Sequence, residues 1–347
     1  MDEMVCFFVP TLTMSVIIYR YDASPFSVKI DNILLLKNIP HEEVNVANML
    51  PRPEITDLLG VTYRRIPILA IGNDVYCDTS LIASALERRF PHSHGHGYGT
   101  LFPNKKHGGS PDTGLIKAFA KHWPDTVLFP LAPLHLPWEK FPPKFLQDRG
   151  AFRGSDTINV QAMVAGRGKS LSMLSTYLAL IEEQLSDGRE WLFDTDLPSL
   201  ADISVHFVYA WVKGFRGVES LFDARTFPKS LEWLARLTTY LGRLKQHRPQ
   251  VPVITGKDAA DRIAAATFES YDVVGFDVLE GSRLGLKAGD RVSIAPDDSA
   301  RNFGTEGKLV ALNKEEYVIE TKGSAGVVRC HFPRIMFTAK LVSGAKL

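Results

Sequence analysis

A serine and a proline separate an apolar run from a helical run near the start of the chain. Residues 16–19 are all apolar, which is typical of a buried strand, and residues 28–37 have helical spacing. Pro25 suits the first helical position, because the N–H group that it lacks would be unpaired there. The helix dipole and free backbone N–H groups favour an anion at such a junction. The sequence therefore places the hydroxyl group of Ser24 where it can stabilise a negative charge.

The next sixty residues continue this alternation of strands and helices. Glycine and asparagine at residues 72–73 form a tight-turn signal between two short strands, and a proline lies near the start of the first of them. The predicted order is β-α-β-α-β-β-α, with strands at residues 16–21, 41–46, 65–70 and 75–77. This order predicts an α/β thioredoxin-like domain over residues 14–91.

Three short motifs on these elements resemble those of the cytosolic glutathione S-transferases. Ser24-Pro25-Phe26 follows the first strand, Arg65-Ile66-Pro67 opens the third strand, and Asp78-Thr79 precedes the third helix. The resemblance is to the serine-type classes of this superfamily, which carry Ser-Pro-Phe after strand one. It implies a thioredoxin-like N-terminal domain, an all-α C-terminal domain, and glutathione as co-substrate.

The resemblance gives Ser24 a catalytic role. Glutathione reacts as its thiolate, because the thiolate and not the thiol is the nucleophile. The hydroxyl group of Ser24 would donate a hydrogen bond to the glutathione sulfur and lower the pKa of the thiol. It would stabilise the thiolate without attacking as a nucleophile itself. The alternative is that Ser24 only caps the helix.

The other two motifs would bind the peptide part of glutathione. A cis peptide bond at Pro67 would turn the N–H and C=O groups of Ile66 toward the ligand, whereas the alternative is a proline that opens an edge strand. Arg65 would lie near the glycyl carboxylate, and a solvated surface charge is an equal alternative. Thr79 would hold the γ-glutamyl carboxylate at a helix N-terminus, and Asp78 would face the ammonium group. A plain N-cap is the alternative for this pair.

Two further regions follow a glycine-rich linker at residues 91–113. Residues 112–247 have helical spacing and predict the all-helical substrate domain, with a proline- and aromatic-rich insert at residues 124–143. This insert shapes the pocket for the second substrate or is a packing insert. Ser199 and Asp202 have the spacing of a capping box, as at the start of the central buried helix of glutathione transferases.

The last part of the chain has the pattern of an extra β-domain. Several short strands at residues 270–343 are separated by turn signals, which predicts an appended small antiparallel β-barrel. Such a barrel would pack on the core, cover the mouth of the site or mediate dimerisation. The resemblance implies pairing with a second copy through the first two domains, unless these strands cover that surface.

Composition excludes several classes of partner. The net charge is +1 and no dense run of lysine or arginine occurs, so nucleic acid is not an expected partner. No stretch of about 18 apolar residues predicts a membrane span. The three cysteines, Cys6, Cys77 and Cys330, are far apart and fit a reducing, cytoplasmic location. No metal is expected, because His92, His94 and His96 lie in a glycine-rich loop without fixed geometry.

These features favour an enzyme that uses glutathione. It would add the thiolate to an electrophilic small molecule, in detoxification or on a secondary metabolite as in fungal-type members, or isomerise a double bond by the same chemistry. The alternative is a non-catalytic module that keeps the fold for protein contacts. A thiol–disulfide reductase would need a cysteine in place of Ser24.

Overall fold

The computed structural model describes residues 14–92 and 97–342. Predictions for the N-terminal thirteen residues, for His94 and His96, and for the chain from residue 343 lie outside these ranges. Among the helices that the structure describes, none is both long and apolar enough to span a membrane.

The N-terminal region has the predicted order of strands and helices. The elements of this region are β1 (Val16–Arg20), α1 (Pro25–Leu36), β2 (Glu42–Asn45), α2 (Pro53–Leu59), β3 (Ile68–Ile71), β4 (Asp74–Cys77) and α3 (Thr79–Arg89). Strand β1 pairs in parallel with β2 and antiparallel with β3, and β3 pairs antiparallel with β4. This confirms the thioredoxin-like layout.

Six α-helices follow. They are α4 (Thr113–His122), α5 (Pro143–Arg153), α6 (Val160–Ala165), α7 (Arg167–Gln184), α8 (Leu200–Val212) and α9 (Pro228–Gln246). Between α4 and α5 the chain forms only a π-helical turn and two short 3-10 helices, at Trp123–Leu128, Phe129–His135 and Trp138–Lys140. Prolines in this insert lack the N–H groups that a continuous α-helix requires.

The capping box of α8 is present as predicted. One carboxylate oxygen of Asp202 accepts hydrogen bonds from the N–H group of Ser199 (2.9 Å) and from its hydroxyl group (2.7 Å). The other oxygen accepts from the N–H group of Leu192 (2.9 Å) and from the indole of Trp233 (3.0 Å). Asp202 is fully buried, and each of its carboxylate oxygens accepts two hydrogen bonds from residues of the protein interior. Its role is therefore structural.

One expectation for the helical region differs from the structure. Leu101 and Phe102, within the predicted linker, are buried in the core, so this segment packs on the domain. On α4, Leu115 is 66% exposed, whereas Ile116 and Ala120 are buried. Helix α4 packs on α8 through the face that carries Ile116 and Ala120, which lie one turn apart.

The C-terminal region contains three short helices and five strands. They are α10 (Gly256–Ala265), α11 (Tyr271–Val274), α12 (Val278–Leu284), β5 (Arg291–Pro296), β6 (Thr305–Leu312), β7 (Glu316–Lys322), β8 (Val327–Pro333) and β9 (Phe337–Leu341). Residues 334–336 form a turn between β8 and β9.

The C-terminal strands do not close into a barrel. They continue the N-terminal sheet, and the nine strands have the order β2-β1-β3-β4-β8-β7-β6-β5-β9. Strand β8 pairs in parallel with β4, with Val75 opposite Cys330. Without this partner β4 would be an edge strand with unpaired backbone groups. The prediction of an appended barrel is therefore corrected to an open sheet that extends the thioredoxin-like one.

One hydrophobic core supports both halves of this sheet. Ile17 and Val75 from the N-terminal strands share a buried cluster with Ile263 from α10 and with Ile319 and Cys330 from the C-terminal strands. The C-terminal region is thus built into the N-terminal domain, because each covers apolar surface of the other.

Candidate functional site

The strand registers bring the three predicted motifs to one end of the sheet. Tyr19 lies opposite Ile68, and Ile68 lies opposite Cys77. The motif residues come just after β1, just before β3 and just after β4. All three segments therefore leave the sheet at the same end, although they are distant in sequence.

Ser24 caps α1 and is almost completely buried. Its Oγ atom accepts a hydrogen bond from the N–H group of Ser27 (3.2 Å), and Pro25 is the first helical residue. No described residue accepts the proton of the Ser24 hydroxyl group. The two predicted roles are thus compatible, since the side chain caps the helix and still has its proton to donate.

The loop before β3 presents backbone groups without partners. The bond between Ile66 and Pro67 is cis. Neither the N–H nor the C=O group of Ile66 forms a hydrogen bond with any residue that the structure describes. An extended peptide could pair with these two groups as an added strand does.

Arg65 is held by the C-terminal region. Its guanidinium group forms an ion pair with Asp298, in the loop between β5 and β6. It also donates hydrogen bonds to the C=O group (2.7 Å) and the hydroxyl group (3.1 Å) of Ser299. Arg65 is therefore neither a solvated charge nor a free cation in this structure.

Asp78 caps α3 and forms a buried ion pair. Its Oδ1 atom accepts hydrogen bonds from the N–H group (3.0 Å) and the hydroxyl group (2.6 Å) of Ser80. The ammonium group of Lys121, on α4, lies 3.0 Å from both carboxylate oxygens. Burial alone would raise the pKa of Asp78, but Lys121, Ser80 and Arg65 outweigh it and lower this pKa to about 2. The carboxylate is thus ionised and already paired.

Two buried lysines were not identified from the sequence. Lys121 pairs with Asp78, and Lys29 on α1 lies 2.8 Å and 2.9 Å from the carboxylate oxygens of Asp125. Both lysines are more than nine-tenths buried. Lysines on helices are usually exposed, and their partners here come from distant elements, so no local pattern marks them.

A cavity of about 350 Å³ opens beside the N-terminus of α3. Thr79 and Ser84 line it on the α3 side, and Lys117 lines it on the α4 side. Pro333 and Ile335, at the turn between β8 and β9, form the opposite wall. Hence the C-terminal strands contribute directly to the site region. Among the described residues, no cluster of three or more His, Cys, Asp or Glu side chains could hold a metal ion.

Two segments of the chain match known family models. Residues 18–94 match the glutathione S-transferase N-terminal domain, and residues 129–246 match a domain of unknown function, DUF7962. A search of curated protein sequences finds no match.

Several solved structures are similar to this chain. A GST-like protein from Pseudomonas syringae is 25% identical, with a TM-score of 0.70, and the match covers 95% of this chain and all (100%) of that one. The beta-etherase LigF from Sphingobium sp. strain SYK-6 is 16% identical, with a TM-score of 0.48, and the match covers 68% of this chain and 100% of LigF. A tau class glutathione S-transferase from mango is 14% identical, with a TM-score of 0.46, over 67% of this chain and 97% of that one. Residues 18–94 thus match a glutathione S-transferase N-terminal domain, and the chain has a GST-like fold.

Proposed function

We propose that this chain is a serine-type glutathione transferase in which Ser24 stabilises the glutathione thiolate. The observation that carries the proposal is the hydroxyl group of Ser24 at the N-terminus of α1, whose proton no described residue accepts. A hydrogen bond from this group to sulfur, together with the helix dipole, favours the thiolate over the thiol. The proton lost from sulfur goes to solvent.

The remaining motif residues define how glutathione would lie. The N–H and C=O groups of Ile66, which have no partner among the described residues, would pair with the cysteinyl backbone. The hydroxyl group of Thr79 would bind the γ-glutamyl carboxylate at the N-terminus of α3. Arg65 would reach the glycyl carboxylate only in competition with Asp298.

The surroundings of α1 favour an apolar second substrate. The ring of Phe26, two residues after Ser24, lies 4.5 Å from that of Phe129 and 5.2 Å from that of Phe207. Phe129 belongs to the proline-rich insert, so the insert reaches the neighbourhood of the thiolate. In conjugation, the sulfur forms a bond to an electrophilic carbon of the substrate, while a leaving group departs from that carbon or the π bond of that carbon opens and takes up a proton from solvent. In isomerisation, the sulfur adds and is expelled again. An aromatic electrophile, such as a secondary metabolite or a toxic compound in the cytoplasm, would pack against these aromatic side chains.

A non-catalytic role is the second candidate. It is favoured by the ion pair of Arg65 with Asp298 and by the burial of Ser24, Asp78 and Thr79, each less than a tenth exposed. A module of this kind would keep the fold and conjugate no electrophile.

Titration of the full chain with glutathione tests the proposal. The ultraviolet absorbance of the bound thiolate is followed against pH in the same experiment. We expect the bound thiol to titrate at least about one unit below the usual value of about 8.5. A bound thiol with the ordinary pKa, or no uptake of glutathione, would contradict the role of Ser24.

A further inference from the structure

Asp78, the residue expected to face the ammonium group of the ligand, already pairs with the ammonium group of Lys121. Lys121 lies 3.0 Å from both carboxylate oxygens of Asp78, and Ser80 donates two further hydrogen bonds to Oδ1. Asp78 and Lys121 are both more than nine-tenths buried. The charge that would attract a γ-glutamyl ammonium group is therefore neutralised within the chain.

Four lysines border the adjoining cavity, and three of them are in ion pairs. Besides Lys121, it is bordered by Lys29, Lys117 and Lys314. Asp125 pairs with Lys29, Glu315 pairs with Lys117, and no described carboxylate pairs with Lys314. Among the described residues, Lys314 is thus the lining lysine without a carboxylate partner, and Glu315, which also lines the cavity, is paired with Lys117. A ligand carboxylate would meet an unpaired cation here, whereas an ammonium group would meet no unpaired carboxylate of the lining.

Thr79 provides an independent sign that a ligand binds here. Its side chain lines the cavity and the residue is only 5% exposed, yet its hydroxyl group has no hydrogen-bond partner among the described residues. This hydroxyl group can therefore bond a polar group of a ligand that enters the cavity. The backbone N–H group of Thr79, at the positive end of α3, is also unpaired with any described residue.

We propose that the ligand end held by Thr79 carries a carboxylate and no free ammonium group. The preferred thiols are then anionic ones whose γ-glutamyl amine is absent or acylated, and Lys121 takes the position that this amine would occupy. The inference rests on the proposed function and narrows its thiol substrate. The cavity of about 350 Å³ begins at Thr79 and Ser80 and reaches Ile335, which leaves room for an acyl group on the amine nitrogen.

Three probes test the inference on the wild-type full chain by calorimetric titration. They are glutathione, its des-amino analogue glutaryl-cysteinyl-glycine, and glutathione acetylated on the α-amino nitrogen. We expect the des-amino analogue to bind at least as tightly as glutathione, and the acetylated one to bind within about threefold of it. If glutathione binds about tenfold more tightly than both analogues, the inference is wrong and the proposed function stands. If none of the three binds, the proposed function fails, and the inference fails with it.

A pair of lysine variants tests the role of Lys121. In Lys121→Met the carboxylate of Asp78 is left free, so we expect the ratio of affinities to shift about tenfold toward glutathione. Lys314→Met is the matched control, since Lys314 lines the same cavity and pairs with no described carboxylate, so its removal leaves no carboxylate free. It should change the affinity for both ligands by the same factor. An unchanged ratio in a folded Lys121→Met variant would overturn the inference, and if that variant does not fold, the wild-type comparison decides alone.

Discussion

The Nε2 atom of His331 lies 3.1 Å from Oδ1 of Asp74, where β8 of the C-terminal region meets β4 of the N-terminal domain. The Nδ1 atom of His331 lies 2.6 Å from Oε2 of Glu316. Arg89 pairs with Asp74 and Arg88 pairs with Glu316. A buried charged network therefore joins the two halves of the sheet. Removing one partner from such a network costs more than the pair itself contributes, because a buried charge is left uncompensated.

The first prediction concerns the pH dependence of this junction. Burial disfavours the charged imidazole of His331, but its hydrogen bonds to Asp74 and Glu316 outweigh burial and raise its pKa. The unfolded value is about 6.5. A raised pKa in the folded state means that the stabilisation is fully present below about pH 6.5 and is lost as the pH rises through the folded value. We expect the melting temperature of the wild type to fall as the pH rises above about 6.5 and through the pKa of His331 in the folded protein.

His331→Gln provides the comparison. This variant keeps a side chain that can form hydrogen bonds but has no titrating group, so its melting temperature should be lower at about pH 6 and should not show this fall. Equal slopes of melting temperature against pH in the two proteins, between about pH 6 and 10, would contradict the assignment.

The second prediction separates the two roles of Ser24. Ser24→Ala should lower the rate of thiol conjugation with a generic aromatic electrophile by about tenfold to a thousandfold, because the thiolate loses its hydrogen-bond donor. It should also lower the free energy of unfolding by about 1 kcal/mol through loss of the N-cap. Steady-state kinetics and urea unfolding measure the two effects.

Ser27→Ala is the matched control for this experiment. Ser27 lies in the same helical turn and is fully buried, and its hydroxyl group has no hydrogen-bond partner among the described residues. The backbone N–H group that binds Ser24 is retained in this variant. Its conjugation rate should equal that of the wild type, and equal losses in the two variants would show that burial rather than the thiolate contact is responsible.

The third prediction concerns the competition for Arg65. In Asp298→Asn the guanidinium group loses its ionic partner, so it becomes available to the glycyl carboxylate of glutathione. We expect the affinity for glutathione to rise about threefold to tenfold. Asp297→Asn is the control, because Asp297 accepts a hydrogen bond from Thr338 and does not contact Arg65. An affinity that stays the same or falls in Asp298→Asn would show that Arg65 has only a structural role.

The fourth prediction follows from the shared core. A chain that ends at residue 249 loses the partner of β4 and the helix α10, which covers the N-terminal sheet. We expect this fragment to aggregate or to melt without cooperativity, as judged by circular dichroism. Co-expression of residues 250–347 as a separate chain should restore soluble protein. A fragment that melts cooperatively on its own would support an independent C-terminal domain instead.

Local patterns were sufficient for the N-terminal elements. The apolar run before Ser24, the proline at the helix start and the turn at residues 72–73 each depend on neighbours in sequence, and the structure has the predicted strands and helices there. The capping box of Ser199 and Asp202 was predicted for the same reason, since a helix start is decided within four residues. The sequence pattern also indicated strands in the C-terminal region, but it did not indicate that β8 pairs with β4.

The sequence by itself indicated most of the segments that form helices and strands, and it predicted which residues would form a thiolate site. Only the tertiary structure decided that β8 pairs with β4, that Lys121 neutralises Asp78, and that Asp298 holds Arg65. Each of these contacts joins residues that are far apart in the chain and whose side chains are ordinary surface types. Their burial and their partners depend on how whole helices and strands pack, which the spacing of neighbouring residues in the sequence does not indicate.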